Sequence, residues 1–191
     1  MSDQNIVKSL IDIRKDFEKA LAIKDTFLAR ALLAELWSSY PGPASAPVIL
    51  SGYKAMEGFE DNLEARPLNV CILRSFTVEP SIPLLEAAAL VNCVKLNVTL
   101  GGFNTYAQEI LSPKSLAYRS EIDVAFIVTQ TRDIAPDIWS GECDLLSERV
   151  EEIIKSFESM INAFRSNSNA YLILHNLEQP AWTSQGNLDI R

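Results

Sequence analysis

The 191-residue chain has one histidine, three cysteines and no cluster of basic residues, and each scarcity removes a class of function. Lys and Arg number 17 against 25 Asp and Glu, a formal charge of −8, so a phosphate-backbone binder is excluded and neither nucleic acid nor an anionic membrane surface is an expected partner. No uncharged apolar run approaches the ~20 residues of a membrane span. Met1-Ser2-Asp3-Gln4-Asn5 lacks the positive and apolar regions of a secretory signal, and a cytoplasmic location is expected. Cys71, Cys93 and Cys143 are odd in number, far apart and without CxxC spacing, which fits reduced thiols better than a disulfide framework or a zinc site. Two of them lie in apolar strand-like runs and are expected in the core. There is no internal repeat and no low-complexity tract.

What remains is an ordinary globular composition, 48% hydrophobic and 22% charged, at a length that suits one domain with an appendage. Ile6, Leu10, Ile13, Phe17 and Leu21 recur at the helical period, and Leu28, Leu32, Leu33, Leu36 and Trp37 do so again after Thr26, a predicted N-cap. Residues 1–42 therefore read as a helical hairpin. Alone it cannot bury its stripe, so it packs on the following domain or pairs with another copy as a homodimer. Residues 43–67 read as a connector with extended chain around Pro43-Ala44-Ser45-Ala46-Pro47 and a short helix over 53–62.

From residue 68 to 191 strands alternate with helices. Strands are predicted at 68–73, 93–100, 122–128 and 171–174, helices at 83–90 and 104–111, and a long helix carries Leu146, Val150, Ile153, Phe157, Met160, Ile161 and Phe164 on one stripe. The alternation predicts a three-layer α-β-α fold with a mostly parallel wound sheet, SGNH- or flavodoxin-like and truncated one unit short of five strands. In such sheets ligands gather outside the carboxyl ends of the strands, where Ser75 ends the apolar run Val70-Cys71-Ile72-Leu73.

Several blocks in order, Ile72 to Pro80, Gly101 to Ser115, Asp133 to Trp139 and Leu174 to Pro180, resemble the N-terminal region of FkbH-like proteins. The resemblance implies an SGNH-like domain followed by a haloacid-dehalogenase-type phosphatase domain, in an enzyme that loads a glyceryl-type unit onto an acyl carrier protein in polyketide-type biosynthesis. The acyl carrier protein and the phosphatase domain are then the implied partners. Magnesium would belong to an Asp-x-Asp run that this sequence lacks, so no cofactor is expected in this chain. On this reading the chain is a detached or partial N-terminal domain with an accessory or docking role. The alternatives are a serine esterase or acyltransferase using Ser75, and a dimerisation module built on residues 1–40.

Ser75 stands where the SGNH hydrolases place their nucleophile, and such a serine needs a base and oxyanion donors. The residues before it are Leu73-Arg74 rather than Gly-Asp, and Thr129-Gln130-Thr131-Arg132-Asp133 lacks the oxyanion asparagine. His175 is the single histidine and a weak candidate base, because intervening strands separate it from Ser75; anchoring a turn is its other role. Ser75 and Thr77 either cap the helix beginning near Ser81 or contact a ligand. Gly101 and Gly102 serve a tight turn with positive φ or cradle a phosphate or carboxylate. Asn104 is a predicted helix cap. Arg132 and Asp133 pair at the surface or hold an anionic substrate. Trp139 and Trp182 anchor their loops in the core or form part of a protein interface, the core being the expected place.

Overall fold

In the computed structural model the described residues are 9–59, 64–140 and 146–178. The chain forms two compact units, one of Met1–Leu68 and Val78–Asn97, the other of Asn69–Thr77 and Val98–Arg191.

The first unit is helical. Helix α1 (Leu10–Ala22) is capped by Ser9, whose Oγ accepts from the Asp12 amide at 3.2 Å, and α2 (Thr26–Ser39) is capped by Asp25, which accepts from the Leu28 amide at 2.9 Å. The predicted cap Thr26 is instead the first helical residue and is buried. Lys24, at φ 57°, makes the turn between the two helices. Helix α3 (Ala46–Ala55) occupies the stretch read as connector, and α4 (Ile82–Leu90) packs against α3. The prolines around Ser45 suggested extended chain, but Pro47 sits in the first turn of α3, where its missing N–H costs nothing. Ile13, Phe17 and Ala20 of α1 join Leu32, Leu33, Leu36, Ile49, Met56 and Ala87 in one core. The hairpin's stripe is thus covered by helices of its own unit.

The sheet contains β1 (Arg66–Arg74), β2 (Val94–Phe103), β3 (Val124–Val128) and β4 (Tyr171–Leu174) in the order β2-β1-β3-β4. β1 pairs with β3 and β3 with β4, both in parallel, with Leu73 beside Ile127 and Ile127 beside Leu174. The second unit also holds α5 (Tyr106–Leu111), α6 (Thr131–Ile134), α7 (Pro136–Ser140) and α8 (Leu146–Asn167). Cys71, Leu73, Ala125 and Ile127 point to the face covered by Ile110 of α5 and by Met160 and Phe164 of α8. Val70 and Ile72, pointing the other way, are buried as well, the continuous burial expected of a strand covered on both sides. The three-layer α/β class expected from the alternation is the one found. Trp139, read as a loop residue, lies half-buried in α7; Cys143 and Trp182 fall outside the described residues.

The cysteines separate sharply. Cys71 is fully buried, and burial, followed by the charge of Glu109, pushes its thiol up to about 11. Cys93, expected in the core, is exposed in the turn before β2, at φ 60°, where Arg30 Nη2 donates to its Sγ at 2.9 Å. Iodoacetamide at about pH 8 is therefore expected to alkylate Cys93 in the native protein and to spare Cys71 until it unfolds, since only an accessible thiolate reacts. Peptide mapping by mass spectrometry reads both sites, and labelling of Cys71 at the Cys93 rate would contradict its buried position.

Candidate functional site

The carboxyl ends of β1 and β3 bring together residues far apart in sequence. The ladder extends one step past β1, because the Ser75 amide donates to Val128 O at 3.0 Å. Side chains alternate along a strand, so Ser75 shares a face with Cys71 and Leu73, and on β3 Thr129 shares that face with Ala125 and Ile127. Ser75 is 3% exposed and Thr129 1%. The Ser75 hydroxyl donates to Asp133 Oδ2 at 2.6 Å and accepts from the Gln130 amide at 3.0 Å. It caps neither α4 nor the short turn before it.

His175 is not the residue that takes the Ser75 proton. Its amide donates to Ile127 O at 2.9 Å, which continues β4 beside β3 by one residue, and its side chain is exposed. Strand β3 stands between β4 and β1, and two strand spacings come to about 9–10 Å, beyond a hydrogen bond. In this arrangement the Ser75 hydroxyl donates to a carboxylate, with the chain's single imidazole two strands away.

Gly101 and Gly102 lie inside β2, and neither has positive φ; that conformation falls on Asn104, at φ 54°, whose amide donates to Arg74 O at 3.0 Å. The glycines serve close approach. A Cβ on Gly101 would stand 2.7 Å from Leu73 Cδ2 and 2.9 Å from Glu109 Oε1, and one on Gly102 would stand 2.6 Å from Thr105 Oγ1. Glu109 Oε1 accepts from the Gly102 amide at 2.7 Å and from Thr105 Oγ1 at 2.9 Å. An incoming phosphate or carboxylate would have to displace this carboxylate, so the glycine pair is not an open anion cradle. Thr105, not Asn104, is the cap residue of α5.

Other groups complete the edge. Arg132 Nε is 3.9 Å from Asp133 Oδ1, the surface pair considered from the sequence, with the arginine mostly exposed. Thr77 is exposed. The phenol of Tyr106 is pushed up by burial and then by the Asp133 charge. Glu178 accepts from the Thr131 amide at 3.0 and 3.2 Å, and its backbone carbonyl accepts from Thr131 Oγ1 at 2.7 Å, which ties the chain after β4 to the start of α6. Thr129 Oγ1 and Gln130 Oε1 are buried with no partner among the described residues. Among those residues no group of three or more His, Cys, Asp or Glu side chains converges as metal ligands.

Two participants escaped the sequence reading. Glu109 is four residues after Thr105, the spacing of neighbours on a helix, and that was its only local sign. Glu178 lay within the Leu174 to Pro180 block, but its role depends on where β4 ends.

Comparison with protein families finds no matching model, and comparison with curated proteins finds no match. Among solved structures, the fold is similar to the crystal structure of the N-terminal part of the protein BF1531 from Bacteroides fragilis, containing a phosphatase domain complexed with Mg. The two share 14% identity with a TM-score of 0.52, over 65% of this chain and 32% of that one. The chain spans about a third of that structure's length, and at this identity the likeness is one of fold. No described helix is long and apolar enough to cross a membrane.

Proposed function

We propose that this chain is the N-terminal accessory domain of an FkbH-like enzyme and docks the acyl carrier protein onto which such an enzyme loads a glyceryl-type unit in polyketide-type biosynthesis. The observation that carries the reading is the Ser75 hydroxyl held between Asp133 and the Gln130 amide, a hydrolase position turned to structural use. A fold similar to the N-terminal part of a protein containing a phosphatase domain supports it. The buried acceptors Thr129 Oγ1 and Gln130 Oε1 suit a partner that brings N–H or O–H donors to this edge.

A titration of the ¹⁵N-labelled protein with holo-acyl carrier protein tests the docking. Shifts concentrated at the amides of Ser75, Gln130 and Thr131 are expected, and an unchanged spectrum at saturating carrier rejects the role. Turnover of p-nitrophenyl acetate well above buffer hydrolysis, lost in Ser75→Ala, would replace docking with the serine esterase or acyltransferase reading.

A further inference from the structure

We infer that the helical unit holds a small-molecule site, a cleft between α1 and α3 that takes a zwitterion with an aliphatic side chain, an α-amino acid of the leucine type. The cleft has a volume of about 250 Å³ and is lined by Arg14, Phe17 and Glu18 of α1 and by Pro47, Val48 and Ser51 of α3. It owes its floor to a glycine. A Cβ on Gly52 would stand 2.9 Å from Phe17 Cζ, so α3 comes close enough for the Phe17 ring, fixed in the core, to close the bottom of the cleft.

The rim carries one charge of each sign. Arg14 and Glu18 stand four residues apart, neighbours on one side of α1, and both are exposed. Such a pair ordinarily closes on itself. Here, among the described residues, neither side chain has an ion-pair or hydrogen-bond partner, in keeping with the arginine-first order, the weaker of the two arrangements on a helix. Lys19, next to Glu18 in sequence, pairs with Asp16 instead at 3.0 Å. Ser51 Oγ donates to Val48 O at 3.1 Å, which commits its proton and leaves its lone pairs to accept from a ligand.

These groups define the ligand. The Arg14 guanidinium offers a fork of donors to a carboxylate, while the Glu18 carboxylate and the Ser51 hydroxyl accept from an ammonium. Phe17, Pro47 and Val48 provide apolar surface for an aliphatic side chain. A zwitterion answers both charges and is neutral overall, so the chain's −8 does not oppose it as it opposes a monoanion. Size limits the choice as well. The volume falls below the roughly 300 Å³ at which pockets for drug-sized ligands begin, which suits a single amino acid and excludes a nucleotide.

Titration of the ¹⁵N-labelled full chain with L-leucine tests the inference. Shifts are expected at the amides of Phe17, Glu18, Val48 and Ser51, with a dissociation constant of about 1 mM for so open a cleft. Arg14→Gln and Glu18→Gln, both at exposed helix positions, should each weaken binding about tenfold or more while circular dichroism stays unchanged. Isocaproate, which lacks the ammonium, and isoamylamine, which lacks the carboxylate, should bind the unaltered chain at least tenfold more weakly than leucine. Each analogue should also be indifferent to loss of the rim charge it does not meet, isocaproate to Glu18→Gln and isoamylamine to Arg14→Gln. An unchanged spectrum well above that concentration overturns the inference, as does leucine binding untouched by both variants, or either analogue binding as tightly as leucine. The readouts are independent of carrier binding, so the docking role stands or falls separately.

Discussion

Replacing Phe164 by alanine is expected to cost about 3–5 kcal/mol of stability, the largest loss among single core truncations in the sheet-bearing unit. Phe164 is fully buried, the largest side chain so enclosed, and its ring packs on Tyr118 at 5.8 Å between centroids. It closes the core formed by Cys71, Leu73, Ala125 and Ile127 with Ile110 and Met160, so the cavity would open against the sheet. Surrounding groups cannot refill it easily, because Tyr118 is itself anchored by its hydroxyl to Ile110 O. Denaturant unfolding read through amide exchange at Ala125 and Ile127 reports this unit directly. Leu174→Ala, at a side chain 38% exposed, is the control and should cost well under half as much. A Phe164→Ala loss below about 1 kcal/mol would mean that α8 does not close this core.

The contrast between those two positions shows what the sequence could disclose. The long apolar stripe of α8 and the run at 171–174 emerge with nearly the right bounds because hydrophobic period alone defines them. Local chemistry that competes with the period was harder to read. Pro47 looked like a helix breaker and is a helix starter, while Gly101-Gly102 looked like a turn and is a strand segment emptied of side chains for Leu73 and Glu109. The site was legible as a position and not as a network. β1 followed by Ser75 marked the carboxyl edge, but the partner of Ser75 is 58 residues away and is set by how β3 runs into α6. Asp133 was singled out for its neighbour Arg132, and nothing in the spacing linked it to Ser75. Such long-range pairings follow from register, which a single sequence fixes only through its turns and its hydrophobic faces.

Ser75→Ala is expected to lower stability by about 1.5–3 kcal/mol, and Asp133→Ala by a similar amount, because each strips a charge-assisted hydrogen bond from a partner that stays buried or partly buried. Ser75→Ala also leaves the Gln130 amide without its acceptor, whereas Asp133→Ala leaves the Ser75 hydroxyl free to turn toward Thr129, so the first should be the costlier. In the double variant the losses should fall short of additive by about 0.5–3 kcal/mol, the coupling of one shared bond. Asp133→Asn, which keeps an acceptor and removes the charge, should recover part of the loss. Urea midpoints for the four proteins give the cycle directly, and additive losses would mean that the 2.6 Å contact contributes nothing in solution. The sign distinguishes the two uses of the residue. A nucleophile poised for attack is commonly strained, so its removal tends to stabilise the fold while abolishing turnover. A serine that joins the end of β1 to α6 gives the reverse, with stability lost and ester hydrolysis unchanged, and the direction of the Ser75→Ala effect decides which kind of site this sheet edge carries.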